Sequence, residues 1–461
     1  MRQVDFSSDR VVSNIFKTAT PLLLAQILNL LYNIVDRIYI SKIPEIGTAA
    51  LGAVGLTFPV ILIITAFANL YGTGGSPLFA IERGKGDKEE AGKIMDICFF
   101  LIIFTAAVLF VITFFFTKPI LTLFGASDNT MQYAYPYLHI YVTGTLFSMI
   151  ATGMNPFINS QGFPMIGMMT VIIGAVTNII LDPIFIFSMG MGVSGAALAT
   201  VISQFLSAAF VTAFLFSKKP EYRLHIVTKE LLKESGQRIK RILGLGSSGF
   251  VININTCLLQ IVSNKVLVAT GGDMYLTVMS IILSVRQVME VPVMAFGDGT
   301  SPLISYNYGA RQPGKIKKAA FTMTAIFGIY TLIAWLLILL FPEFFISIFS
   351  TDKSILQYTI PALHTYFLAF IFMTFQFSGQ TMFRALGKSK YAIFFSLLRK
   401  AFLVIPLTLL LPLAFGLGPM GVFMAEPISN VIGGTACFLT MLKTQVPEIR
   451  ALGKGAPGDA A

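Results

Sequence analysis

Charge is what this chain has least of. Of its 461 residues only 12% are Asp, Glu, Lys or Arg, about half the roughly 25% of soluble globular domains, which excludes an ordinary water-facing surface. Cysteine is nearly absent: Cys98, Cys257 and Cys437 are odd in number and each sits in a different apolar run, which argues against a disulfide framework or metal cluster and reads as small buried hydrophobes. "GTGG" and "GGDM" are glycine-rich, but no GxxxxGK[ST] pattern or soluble nucleotide-binding domain accompanies them, so ATP-driven chemistry is not expected. No nucleophile with its base, acid–base pair or metal cluster stands out, so the chain does not read as an enzyme and no cofactor is expected. The opening "MRQVDFSSDRVVSNIFK" mixes acids with bases and has no small-residue cleavage site, so no removable signal peptide is expected and Met1 to Ala461 reads as the mature chain.

What the chain has instead is oil. Hydrophobic residues make up 55%, with 42 Phe. Apolar runs of about 20 residues, enough to cross roughly 30 Å of hydrocarbon, centre near 28, 61, 105, 145, 176, 205, 256, 285, 328, 369, 402 and 431. An all-α membrane protein with twelve spans is therefore expected. With a cytoplasmic N-terminus, 27 of the 33 Lys and Arg fall on the cytoplasmic side, Arg399 and Lys400 among them, and only Lys42, Lys118 and Lys353 on the other. Arg37, Lys265 and Arg286 lie within spans. This is the positive-inside pattern with both termini cytoplasmic. The net charge of +11 is explained by topology and anionic inner-leaflet lipid, with no nucleic-acid partner.

The chain repeats. A shift of 225 residues aligns "GTGGSPLFAIERG" (72–84) with "GDGTSPLISYNYG" (297–309) and "QYAYPYLHIY" (132–141) with "QYTIPALHTY" (357–366); a shift of 226 pairs "GMGVSGAALATVIS" (190–203) with "GLGPMGVFMAEPIS" (416–429). Six spans is an even number, so both copies enter from the same side and a pseudo-twofold along the membrane normal is expected, the plan of one class of secondary transporters. The expected division is an N-terminal six-helix lobe (1–216), a cytoplasmic linker (217–241), a C-terminal six-helix lobe (242–443) and a cytoplasmic tail (444–461). Within the linker, "TKELLKESGQRIKR" reads as either a short amphipathic helix or a solvated loop.

An ionised side chain near the bilayer centre costs about 2.5–3.5 kcal/mol on insertion scales, so each is a functional candidate. Gln26, Asn29, Asn33 and Asp36 are spaced 3, 4 and 3 and share one helical face. In the fifth span Asn178 and Asp182 stand at i and i+4, followed by Pro183, which loosens the next turn. The sixth span offers Thr200, Ser203 and Gln204 beside small residues that permit close helix approach. Were these helices to meet, the oxygens would suit a hard cation such as Na⁺, while two crowded carboxylates tend to share a proton. Neither repeat offset preserves these acids: Asp182 aligns with Leu407 or Thr408, Asn178 with Leu403 or Val404, and the counterpart of Asp36 lies near the neutral Asn264. Coupling is therefore expected in the first half. In the second half Arg286 and Glu290 stand at i and i+4, a structural ion pair or a substrate or coupling site. Lys265 and Glu426 fall near expected span ends, where snorkelling is cheap. His139 and His364 recur in both copies, which favours a structural role. Met and Phe lining a cavity would suit apolar cations through soft and cation–π contacts.

"NIVDRIYIS", "SPLFAIERGKGD", "SPLISYNYGAR", "NIILDPIFI" and "GVSGAALAT" together resemble the multidrug and toxic compound extrusion family over essentially the whole chain. The resemblance implies cation-driven antiport of organic, often cationic, compounds out through the plasma membrane. In the branch whose members resemble DNA-damage-inducible protein F, the cation site of the N-terminal lobe maps onto Asp36, Asn178, Asp182 and Thr200. Another branch carries acids in the seventh and tenth helices; here 355–383 has no Asp or Glu and the seventh span offers Asn264 and Lys265. The reading is a monomeric secondary exporter in the lipid bilayer, with small organic substrates, coupled to inward Na⁺ or H⁺. Gln26, Asn29, Asn33, Gln204, Arg286 and Glu290 are its further substrate or coupling candidates. The alternatives are a lipid-linked oligosaccharide flippase, disfavoured by having only three intramembrane bases, and a non-transport receptor.

Overall fold

A backbone in hydrocarbon has no water to bond, so apolar runs of this length must close their hydrogen bonds within helices. The computed structural model describes residues 3–44, 46–272, 274–349 and 353–452, and among them there is no strand. The side chain of Cys257 and the last nine residues of the expected tail lie outside the described residues; Cys98 and Cys437 are free and buried.

The first half comprises α1 (Val11–Ser41), α2 (Phe58–Lys85), α3 (Lys88–Phe115), α4 (Asp128–Tyr141), α5 (Thr145–Ser160), α6 (Pro164–Pro183) and α7 (Gly192–Phe216). The second comprises α8 (Gly236–Gly271), α9 (Met274–Gly309), α10 (Pro313–Leu340), α11 (Lys353–Phe367), α12 (Met373–Ala385), α13 (Ser389–Leu397), α14 (Ile405–Leu413), α15 (Pro419–Ser429) and α16 (Thr435–Leu452). Among the described residues eleven helices are long and apolar enough to cross a membrane. The twelfth expected span, near residue 145, is made of α4 and α5 joined by a 3₁₀ turn at Val142–Gly144. The protein is an all-α, multi-pass membrane protein built as two six-helix bundles.

The duplication is written in the backbone. Gly86 (φ 81°) aligns with Arg311 (φ 52°), Gly162 (87°) with Gly387 (71°), Gly190 (65°) with Gly416 (67°) and Gly192 with Gly418 (both 55°). At these four places both copies turn left-handed, and at one of them an arginine holds a conformation that glycine adopts without strain.

Contacts divide the chain into one compact unit containing Thr20–Gly246 and a second containing Phe6–Ala19 with the chain from Ser247 onward. The reason lies in two equivalent glycines. A Cβ on Gly74 of α2 would stand 2.4 Å from the Ile242 carbonyl oxygen, so the start of α8 packs backbone to backbone in the first unit. A Cβ on Gly299 of α9 would stand 2.6 Å from Ala19 Cα, so the start of α1 packs likewise in the second. Phe16 meets Phe296 edge-on at 5.6 Å, and Asn307 donates to the Phe6 carbonyl at 3.1 Å.

The chain between α7 and α8 is folded onto the first unit. The His225 amide donates to Asp96 at 2.9 Å, the Tyr222 ring meets Phe79 edge-on at 5.1 Å, and a short helix spans Lys229–Glu234, capped by Thr228. Arg238 then grips Glu90 with three bonds of 2.8, 3.0 and 2.6 Å.

Close approach through glycine gives a direct test. A Cβ on Gly72 would lie 2.6 Å from the Gly153 carbonyl oxygen, backbone that has little room to give, whereas one on Gly52 would meet nothing within 4 Å. Gly72→Val is expected to destabilise the first unit by about 1–3 kcal/mol, read as a lower Tm in detergent. Gly52→Val should not lower it.

Candidate functional site

The fifth and sixth spans converge as their residue types suggest. Asn178 and Asp182 lie one turn apart on α6, and Asn178 Nδ2 donates to Asp182 Oδ1 at 3.2 Å and to Thr200 Oγ1 of α7 at 3.4 Å. Pro183 ends the regular α-helix and a π-helical turn follows at Ile184–Ser188, a local widening typical of functional sites. From α1, Asp36 comes into hydrogen-bonding contact with Asp182. Asp182 is 0% exposed and Asn178 1%, so these groups are held away from bulk water.

The donor count is what makes the cluster chemical. Two carboxylates can bond one another only by sharing a proton, and no donor of the described residues reaches Asp36 Oδ1, Asp182 Oδ2, Asn178 Oδ1 or the neighbouring Gln204 Oε1, all of them enclosed. Buried oxygens left without a donor are costly. An all-oxygen set carrying two acids fits a proton or a hard cation such as Na⁺. Among the described residues no group of three or more His, Cys, Asp and Glu forms a transition-metal site.

Three tyrosines escaped the sequence reading. Tyr32 and Tyr137 both lie within electrostatic reach of Asp36 and Asp182, and Tyr141 accepts from Gln204 Nε2 at 3.2 Å. Their spacing was a usable signal: Tyr32 is one turn before Asp36, and Tyr137 and Tyr141 are one turn apart on α4, their rings stacked 6.2 Å apart.

The MatE family model matches residues 21–184 and 250–410. The chain belongs to the MatE family. The multidrug export protein MepA of Staphylococcus haemolyticus is 27% identical over 437 residues, 93% of each chain, and that of Staphylococcus saprophyticus 25% identical over 441 residues, 94% of each. An outward-facing multidrug resistance MATE family transporter has the same fold, with a TM-score of 0.88 at 24% identity over 98% of this chain and 99% of the other. So does a MOP superfamily transporter from Pyrococcus furiosus described as having a binding pocket of reverse polarity, with a TM-score of 0.89 at 23% identity over the same shares.

The second unit of this MatE chain holds a charge cluster that the sequence showed only in part. Arg286 on α9 donates from Nε to Glu290 at 2.6 Å and from Nη1 to Glu426 of α15 at 2.7 Å, and also bonds the Tyr366 hydroxyl. Glu426 is also paired with Arg399 at 2.9 Å and Lys400 at 3.4 Å. Two expectations are corrected here. Arg399 and Lys400 do not lie at the cytoplasmic side: they are buried in the π-helical segment Leu398–Val404 between α13 and α14. Glu426 does not snorkel, being 3% exposed and ringed by three bases. Runs of mixed charge inside an apolar span look like span ends until a partner on another helix is known.

Other candidates are placed without being joined to the acids. Asn29 and Asn33 are exposed, Asn33 donating within its own helix to the Asn29 carbonyl at 2.6 Å, and Gln26 is half-buried. Arg37 lies 5.5 Å from the Phe58 ring, within electrostatic reach of Asp36. Lys265 is exposed. His139 is sandwiched by Phe114 at 4.1 Å and Tyr135 at 5.1 Å, a packing role.

Removing one partner of a buried ionic network leaves uncompensated charge and costs about 3–5 kcal/mol. Glu426→Gln, which strips three bases of their shared carboxylate, is expected to lower the Tm in detergent far more than Glu290→Gln, which touches Arg286 alone.

Proposed function

We propose that this chain is a secondary exporter of organic compounds across the cell membrane, driven by inward flow of Na⁺ or H⁺, acting as a monomer with both termini cytoplasmic. The observation that carries the reading is the buried meeting of Asp36 with Asp182, flanked by Asn178 and Thr200, in one unit of a duplicated membrane fold. The likeness to the Staphylococcus multidrug export proteins supports export of small molecules rather than catalysis.

In this reading the cation enters from outside and binds Asp36, Asp182 and the oxygens of Asn178 and Thr200 in the outward-facing state. Its binding favours substrate release and the return to the inward-facing state. An entering monovalent ion supplies about 2.3 kcal/mol per 100 mV, and a tenfold gradient about 1.4 kcal/mol more. Together these support a roughly 500-fold gradient of an uncharged substrate.

Reconstituted flux under Na⁺ and pH gradients imposed separately tests this directly: export should follow at least one of them. Asp36→Asn and Asp182→Asn are each expected to abolish gradient-driven export while eluting as folded protein. Full export by both variants, or flux indifferent to both gradients, overturns the assignment.

A further inference from the structure

The proposed cation cycle does not use the charge cluster of the second unit, and the cluster's charges do not balance. Arg286, Arg399 and Lys400 face only Glu290 and Glu426 among the described residues. The shortfall falls on two side chains. Glu426 Oε1 is already taken by Arg286 at 2.7 Å and Arg399 at 2.9 Å, so Lys400 Nζ reaches this carboxylate only at 3.5 and 3.4 Å. Charge-assisted N–H···O bonds run nearer 2.7–2.9 Å. The other described bond of Arg399 Nη1 goes to a neutral oxygen, Asn430 Oδ1, at 2.6 Å.

The bases also sit where the helices leave regular α geometry. A π-helical turn at Leu398–Val404 carries Arg399 and Lys400, and a second at Asn430–Gly434 carries Asn430. Gly433 lets the Arg399 stem pack closely against its helix, since a Cβ there would stand 3.3 Å from Arg399 Cγ. The cluster is not sealed, since the Arg286, Arg399 and Lys400 side chains keep 10%, 11% and 8% of their surface accessible. Tyr366, bonded to Arg286, joins the charges to aromatic packing through Phe367 at 5.5 Å.

We infer that Arg399 and Lys400 bind the anionic group, a carboxylate or phosphate, of an amphiphilic ligand. An excess cation in a bilayer is expensive, and an anion carried in by the ligand supplies the missing partner. Calling that ligand cargo rests on the export reading; the binding itself does not.

The test uses the full chain in phosphatidylcholine vesicles and two fluorescent probes, a rhodamine with a free carboxylate and its methyl ester. The carboxylate form is expected to bind about tenfold tighter than the ester. Lys400→Gln and Arg399→Gln should each erase most of that difference and leave ester binding in place, while Lys400→Arg retains it. Glu290→Gln, which removes a competing negative charge, should tighten the carboxylate form, a gain that mere loss of structure does not produce. Competition by inorganic phosphate assigns the site to solute anions, and competition by added phosphatidylglycerol alone assigns it to a lipid headgroup. Equal affinity for the two probes, equal weakening of both in every variant, or no competition by either anion overturns the inference. Failure of gradient-driven export with carboxylate binding intact would instead fail the export reading alone.

Discussion

Each charge in the hydrocarbon needs a partner supplied by another part of the same chain, and the interior of this protein is arranged around that need. In the first unit the need is left half met: Asp36 and Asp182 touch, but Asp36 Oδ1 and Asp182 Oδ2 find no donor among the described residues. In the second it is met with bases in excess, gathered on Glu426. Helices that carry these groups depart from regular α geometry close by, at Ile184–Ser188, Leu398–Val404 and Asn430–Gly434. A wider turn changes which side chains share a face.

The two units began as copies and kept their frame. Four left-handed turns match in position, even where Arg311 stands for a glycine, and the glycines that admit a foreign helix end, Gly74 and Gly299, match as well. The polar interior diverged, toward acid in one copy and toward base in the other. Under the proposed cycle the divergence has an energetic meaning. Expelling a monocation in exchange for one monovalent ion recovers none of the membrane potential, whereas a zwitterion, whose negative group cancels its positive one, keeps about 2.3 kcal/mol per 100 mV and a net monoanion gains about twice that.

Much of the frame was legible because period, length and repetition are properties of a line of residues. The span centres, the duplication and the shared face of Asn178 and Asp182 follow from spacing alone, and Thr200 from the small residues beside it. What could not be read was pairing across helices. Arg399 and Lys400 looked like a cytoplasmic loop because their partner, Glu426, lies more than twenty residues away on another helix. Tyr137 and Tyr141 drew no notice in the sequence because only folding brings α4 beside the acids. Among the described spans, the one at 128–160 hid its 3₁₀ break, since a single tightened turn leaves no mark on hydropathy.

The exchanged helix ends set an order on synthesis. Residues 6–19 leave the ribosome first, yet their packing partners, Gly299 and Phe296, are made some 280 residues later. The first unit likewise waits for residues 236–246 before Gly74 is covered. The first unit is therefore complete once residue 246 has emerged, whereas the second waits for α9 to meet residues 6–19. A chain stalled or cut before α9 would leave that opening segment of α1 uncovered before the insertion and quality-control machinery.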